Sequence, residues 1–253
     1  ISNLFLILFS LFLLIFLFLS ISSFRNIFTI SHFTKSRIQA LFGIGSEKIV
    51  VTHLASDIFF TTLAPQSEQE ETKSSLNVQE PFLFYAGSIS PRKNLTRLLQ
   101  AFDQLADTIP HHLYITGINS WGNLDEFRHI QEKYPDRIRL LGFVSEVELR
   151  SLYAMADIYV FPSLYEGFGL PILEAQSQGT PVITSNQNSC QEVAGQSALL
   201  VTPTNLDEIK QAIHTLATDS TLKTQLIQKG KENVTRFDWK KSADIMIQAL
   251  QKR

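Results

Sequence analysis

The sequence predicts an α/β fold in which a parallel sheet carries helices on both faces. Two observations carry that prediction. From residue 81 onward, short apolar segments recur: PFLFYAG, HHLYITG, RIRLLGF, DIYVFPS, PVITS and SALLVTP. Amphipathic segments alternate with them: NLTRLLQAFDQLA, LDEFRHIQEKY, EVELRSLYAMA, LPILEAQSQG and LDEIKQAIHTLA. Strands that alternate with helices need crossover connections, and these place the strands parallel with both faces covered. Ligands in such sheets bind at the carboxyl ends of the strands.

Taken in order, residues 1–23 hold no charged side chain and are dominated by Leu, Phe and Ile. At about 1.5 Å per helical residue this run can cross a hydrocarbon core about 30 Å thick, so a hydrophobic, transmembrane helix is expected. Arg25, Lys35 and Arg37 follow the run and no base precedes it. That asymmetry predicts a cytoplasmic chain anchored to the cytoplasmic face of a membrane by residues 1–23. A cleaved signal peptide would carry a basic n-region and a small-residue cleavage site, both missing here. A third reading is that the run stands in for a lost N-terminal domain. The chain begins with Ile1 rather than Met, which reads as a fragment or a truncated frame.

In residues 24–63, NIFTIS has strand character, Ser31 and Thr34 are candidate caps, KSRIQALFG reads as a short helix ended by Gly43, and KIVVTHL is a strand. Residues 64–80 are rich in Gln, Glu and Ser without apolar periodicity, which predicts a polar loop or flexible linker. The body spans residues 81–235, where Ser145 and Glu148 have capping-box spacing. A helix is expected over residues 236–253, after a break around Phe237-Asp238-Trp239.

The formal net charge of −2 over 253 residues gives no reason to expect nucleic-acid binding. Cys190 is the single cysteine, which excludes an internal disulfide and a cysteine-rich metal site. The histidines lack metal-ligand spacing and no Asp-x-Asp pair occurs, so no metal is expected.

The most informative stretch is FPSLYEGFGLPILEAQSQGT, residues 161–180. A strand ends at Pro162, Gly167 and Gly169 bracket Phe168, and Pro171 opens an apolar helix. Glycine admits close backbone approach, and the first-turn N–H groups of a helix attract anions, so the loop reads as a phosphate cradle. Glu166 and Glu174 flank it, eight residues apart. Taken alone, the pair reads as a solvated loop residue and an exposed helix position; the glycine loop between them reverses that reading. Arg92 and Lys93, after the first body strand in GSISPRKN, offer a bidentate fork and a point charge where a diphosphate needs neutralising.

Glu166-Gly-Phe-Gly-Leu-Pro-Ile-Leu-Glu174 resembles the E-x7-E signature of the family 4 retaining glycosyltransferases, enzymes of the GT-B fold. The likeness extends from about Asn26 to the C-terminus through SPRKNLTRLLQAF, LGFVSEVELRSLYAMADIYVFPS and SCQEVAG. It implies that residues 24–63 are the remnant of an N-terminal domain and the crossing between domains. Residues 81–235 would then be a Rossmann-like nucleotide-sugar-binding domain, the C-terminal half of a GT-B fold, with a final helix that packs back on the first domain. By resemblance Lys93, Arg92 and Glu166 are the catalytic group. Gly87, Phe143, Val144, Tyr165, Phe168, Gly169, Leu170, Glu174 and Glu192 would bind the donor, with Glu174 on the ribose and Glu166 near the sugar. Many members carry arginine directly after the glycine, where this chain has Ser88, which leaves Arg92 as the arginine available.

The implied activity is retaining hexosyl transfer from a nucleoside diphosphate sugar, of GDP-mannose or UDP-glucose type, to a carbohydrate or lipid-linked acceptor in polysaccharide or glycoconjugate biosynthesis, with no cofactor. Two alternatives stay open: a truncated nucleotide-sugar-binding module without turnover, and a GT-B-type nucleotide-sugar epimerase.

Overall fold

The computed structural model describes residues 25–118 and 125–251. The apolar run at residues 1–23, expected to be a membrane helix, lies outside them. Among the described residues no helix is long and apolar enough to cross a membrane.

The chain opens with strand β1 (Ile27–Thr29), helix α1 (His32–Phe42) and strand β2 (Ile49–Val51), the two strands pairing in parallel. Ser31 caps α1, its Oγ accepting from Thr34 N at 3.0 Å, and Gly43 ends it with φ of 63°. The helix starts three residues before KSRIQALFG because the Ser31 cap stands ahead of it. Next come α2 (Ile58–Thr61), α3 (Gln66–Ser75), β3 (Phe82–Ala86), α4 (Leu95–Leu105), β4 (His112–Thr116), α5 (Asp125–Lys133), β5 (Ile138–Gly142) and α6 (Glu146–Met155). Then follow β6 (Ile158–Phe161), α7 (Leu170–Ser177), β7 (Val182–Ser185), α8 (Asn188–Ala194), β8 (Ala198–Val201), α9 (Leu206–Thr218), α10 (Ser220–Val234) and α11 (Trp239–Gln251). The capping box at α6 is formed in both directions.

The chain divides into two compact units. One joins the first β-α-β segment to α11: Asn26 Nδ2 donates to Ala249 O at 2.9 Å and Ser242 Oγ to His53 O at 2.5 Å. The C-terminal helix thus packs back on the beginning of the described chain. The other unit, Ala55–Asp238, holds the sheet.

That sheet has the order β5-β4-β3-β6-β7-β8, every pair parallel. From β3 the chain winds outward through β4 to β5, then returns to β6 and winds the other way through β7 to β8. The order therefore reverses between β3 and β6, which pair as Leu83 with Ile158 and Phe84 with Tyr159. An open α/β sheet leaves a crevice at such a switch point, outside the strands' carboxyl ends. Side chains alternate along each strand. Leu83, Ile158 and Val160 join Leu98, Phe102, Ile209 and Ile213 of α4 and α9 in one apolar cluster. On the opposite face, Phe84 and Tyr159 pack edge-on against Tyr153 of α6, with ring centroids 5.3 and 5.1 Å away.

Residues 66–75 differ from the sequence expectation of a loop or linker. They form α3, a helix with no apolar stripe for periodicity to detect. Polar contacts hold it. The Glu68 carboxylate pairs with the buried Arg150 guanidinium of α6, which also donates to Phe59 O at 3.1 Å and lies 3.9 Å over the Phe59 ring. A buried cation needs such a partner, and α3 supplies it.

Candidate functional site

The loops leaving β3 and β6 are joined by one asparagine. Asn94, in the left-handed region at φ 61°, is 3% exposed, and its amide donates to Pro162 O at 2.8 Å and Pro203 O at 2.7 Å. The loops after β3, β6 and β8 are pinned together by that side chain. Leu164 N donates to Arg92 O at 2.8 Å, and Arg92 Nη1 to Tyr165 O at 2.7 Å. The SPRKN segment and the segment leading to Glu166 are therefore one bonded structure.

Within it the predicted catalytic group comes together. Lys93 Nζ lies 2.7 Å from Glu166 Oε1, and Arg92 Nη1 lies 2.9 Å from Oε2. Glu166 is only 8% exposed, and its backbone oxygen accepts from Ser189 Oγ at 2.8 Å, which fixes the residue from the α8 side. Lys93 approaches Oε1 outside the hydrogen-bond direction, so that oxygen is buried with a charge nearby but no directed donor. Lys93 Nζ also sits 4.7 Å above the Phe161 ring. Arg92 is half exposed. Beneath the cluster, burial raises the Tyr85 hydroxyl well above its ordinary value, with Glu166 adding to this and Arg92 opposing it. Tyr85 stays neutral and serves as a polar floor.

Gly169 precedes α7 with φ of 109°, and a Cβ there would stand 3.1 Å from Ile172 Cδ1 and 3.8 Å from Cys190 Sγ. The left-handed conformation favours glycine, and the Ile172 methyl would have to yield by a few tenths of an ångström to admit a Cβ. Leu170 and Pro171 then open the helix, as the sequence predicted. The Phe168 side chain is 3% exposed and packs edge-on against Phe237, centroids 5.6 Å apart, so it wedges the loop from below. Cys190 is fully buried, and burial first, then the nearby Glu166, push its thiol up to about 12. It is a packing residue.

Glu174 sits in the second turn of α7, half-buried, and its Oε2 accepts from Tyr153 Oη at 3.0 Å. Burial raises its pKa above the ordinary carboxylate range, and the Tyr153 hydrogen bond opposes that rise. Both glutamates act electrostatically on one buried ring, Tyr159, whose hydroxyl donates to Ala86 O at the end of β3. Glu174 thus reaches β6 through Tyr153, whose ring packs on Tyr159, while Glu166 is held between the loops leaving β3 and β6.

The remaining predicted residues are spread more widely. Gly87 ends β3 beside Lys93, whose Cε would lie 3.8 Å from a Cβ placed there. Gly117 ends β4 so close that a Cβ would stand 1.9 Å from Gly87 O. Tyr165 is half exposed and reaches the cluster through its carbonyl oxygen. Phe143 is 81% exposed and Val144 buried at the end of β5, two strands from β3. Glu192 is the fifth residue of α8, past the first turn where the helix dipole favours a glutamate. Asn94, Tyr85, Tyr153, Tyr159 and Ser189 were not singled out from the sequence. Asn94 closes the quoted SPRKN, and Tyr153 stands in LRSLYAMAD, but neither spacing shows that its polar tip turns toward a neighbouring loop.

The family described as Glycosyl transferases group 1 matches residues 66–233. The O-antigen chain mannosyltransferase B of Escherichia coli is 33% identical over 234 residues, covering 91% of this chain and 61% of that protein. The chain thus spans about three-fifths of that relative's length. Among solved structures, Anabaena Alr3699/HepE in complex with UDP and glucose superposes with a TM-score of 0.78 at 20% identity, covering 90% of this chain and 63% of that one. A glycosyltransferase from Rickettsia africae ESF-5 gives 0.78 at 19% identity, covering 90% and 64%. With a cation pair, a glycine turn and two glutamates gathered at the switch point of its sheet, and with the family match spanning most of its length, the chain belongs to the glycosyl transferases group 1 family.

Proposed function

We propose that this chain carries the donor site of a retaining glycosyltransferase, which moves a hexose from a nucleoside diphosphate sugar to an acceptor hydroxyl. The observation that carries the reading is the meeting of Lys93, Arg92 and Glu166 at the crevice where Gly169 turns the chain into α7. As the glycosidic bond stretches, negative charge develops on the departing diphosphate. Preorganised cations and helix N–H groups are strongest against charge that appears in the transition state. Lys93 and Arg92 supply the cations, and the N–H groups of Phe168, Gly169 and Leu170 the dipoles. Glu174 takes the ribose hydroxyls, and Glu166 contacts the donor sugar near its reacting carbon. No metal and no cofactor enter this scheme.

The donor is a mannose or glucose nucleotide, GDP-mannose first. Support comes from the E. coli relative, named as a mannosyltransferase, and from Alr3699/HepE, solved with UDP and glucose. The product is a polysaccharide or glycoconjugate built on a carbohydrate or lipid-linked acceptor, and residues 1–23 hold the chain to a membrane where such acceptors reside.

The test is calorimetric titration with GDP, UDP and ADP in parallel, followed by transfer from the matching labelled sugar nucleotide. Saturable binding of one nucleotide, weakened at least tenfold by Lys93→Ala, is expected; affinity unchanged in that variant removes the site assignment.

A further inference from the structure

Tyr153 has no site role in the sequence reading, yet its hydroxyl ends on Glu174. The ring is fully buried and edge-packed against Phe84, Tyr159 and Phe60, with centroids 5.3, 5.1 and 6.4 Å away. Its backbone carbonyl is held by Thr180 Oγ1. A side chain wedged on several sides has little rotamer freedom, so its Oη is a fixed point in the crevice. From that point it donates to Glu174 Oε2 at 3.0 Å. Among the described residues no other donor to the Glu174 carboxylate is found, which leaves Oε1 of this half-buried side chain without a protein donor.

We propose that Tyr153 is a positioning residue: it anchors Oε2 of Glu174 so that the second oxygen faces the ribose hydroxyls of a bound nucleoside diphosphate. The proposal rests on Glu174 taking the ribose. A glutamate on a helix has three side-chain torsions to order when it binds, and a carboxylate already tethered at one oxygen loses less freedom when the ligand arrives. Neighbouring phenols do not replace the tether: Tyr159 Oη is spent on Ala86 O at 3.1 Å.

A buried tyrosine with a satisfied hydroxyl also has a purely structural reading, and ribose chemistry separates the two. The affinities of GDP and UDP, and of their 2′,3′-dideoxy forms, are measured on the wild-type chain, Tyr153→Phe and Glu174→Ala. The expected result is that both variants weaken the ribose nucleotides, Tyr153→Phe by about three- to tenfold, while each dideoxy nucleotide binds within about twofold of wild type. Tyr153→Phe that weakens both sugar forms alike, or neither, while Glu174→Ala stays selective for ribose, overturns the positioning role alone. Glu174→Ala without ribose selectivity overturns the assignment of Glu174 and this proposal with it. A wild-type crystal structure with the tighter nucleotide gives a reading that needs no variant. There, Tyr153 Oη stays within about 3 Å of Oε2 with a ribose hydroxyl on Oε1; an Oη turned away from Glu174 in that complex rejects the proposal.

Discussion

Lys93 Nζ rests 2.7 Å from Glu166 Oε1, with both side chains nearly out of solvent. The cation meant for a diphosphate is already matched by a carboxylate of the same site, and Arg92 at 2.9 Å from Oε2 leaves the cluster one net positive charge. An incoming diphosphate must share or displace that carboxylate. Glu166→Gln is therefore expected to bind free GDP or UDP about three- to tenfold more tightly than wild type while losing transfer, because the removed charge competed with the leaving group. Titration calorimetry beside a transfer assay checks both halves; weaker nucleotide binding in this variant contradicts the competition.

Acidity enters through Glu174. Burial lifts its carboxyl above the usual range, with the Tyr153 hydrogen bond opposing, and the two phenols facing it, Tyr153 and Tyr159, are themselves raised well above their ordinary value and stay neutral. The carboxylate is the better acceptor of ribose hydroxyls, so nucleotide affinity falls as pH drops through the raised pKa, at a pH above that of an exposed glutamate. Tyr153→Phe removes that opposing hydrogen bond and moves the fall to higher pH. For stability the sign is reversed: the folded chain holds this proton more tightly than the unfolded one, so the contribution of Glu174 declines as pH rises beyond the unfolded value. Affinity measured from pH 4 to 8 decides, and a flat profile rules out Glu174 as the acceptor.

Gly169→Ala forces a side chain into a left-handed conformation and toward Ile172 Cδ1. A loss of about 1–3 kcal/mol is expected, together with weaker nucleotide binding, since the turn that aims the α7 N-terminus is the part strained. Thermal melting and titration report the two effects; an unchanged melt means the turn relaxes freely.

At the opposite end of the sheet, Asp157 joins His111 Nε2 at 2.8 Å and Lys223 Nζ at 2.6 Å. Burial would raise its carboxyl, but hydrogen bonds with His111 and Lys223 outweigh burial and hold it below the ordinary value. A depressed acid stabilises above its unfolded pKa and loses that contribution as pH falls through the folded one. Asp157→Asn should cost about 1–2 kcal/mol near pH 7, with the gap to wild type closing in acid and nucleotide affinity unaffected. Denaturant melts at several pH values test this; a constant gap shows the charge is irrelevant.

Strands and helices of the body were legible because each strand is a short apolar run and each helix a periodic one, bounded by Gly, Pro or a capping residue. Helix α3 was not, since Gln66–Ser75 has no stripe and is held by Arg150, more than seventy residues away in sequence. The same contrast runs through the site. Glu166, Gly169 and Glu174 share one segment and could be read together, whereas the link between Arg92 and Tyr165 O, or between Tyr153 and Glu174, depends on how two distant segments are laid side by side. Helix periodicity gave Tyr153 a face but not a partner, and the place of Glu192 within α8 was not legible because the start of that helix carries no side-chain cap to mark it.

Asn94 ties three loops with a single amide, and those loops carry the cations, the glycine turn and the approach to Glu166. The consequence is one of timing. Order that a floppy site would acquire only when its ligand arrives is here acquired when the chain folds, so a bound nucleotide meets a surface already set. Heat capacity and fast-timescale order parameters of the loop backbone would then change little on binding, and selectivity among nucleotides would follow from fit to a rigid cast rather than from the loops moulding themselves around each candidate.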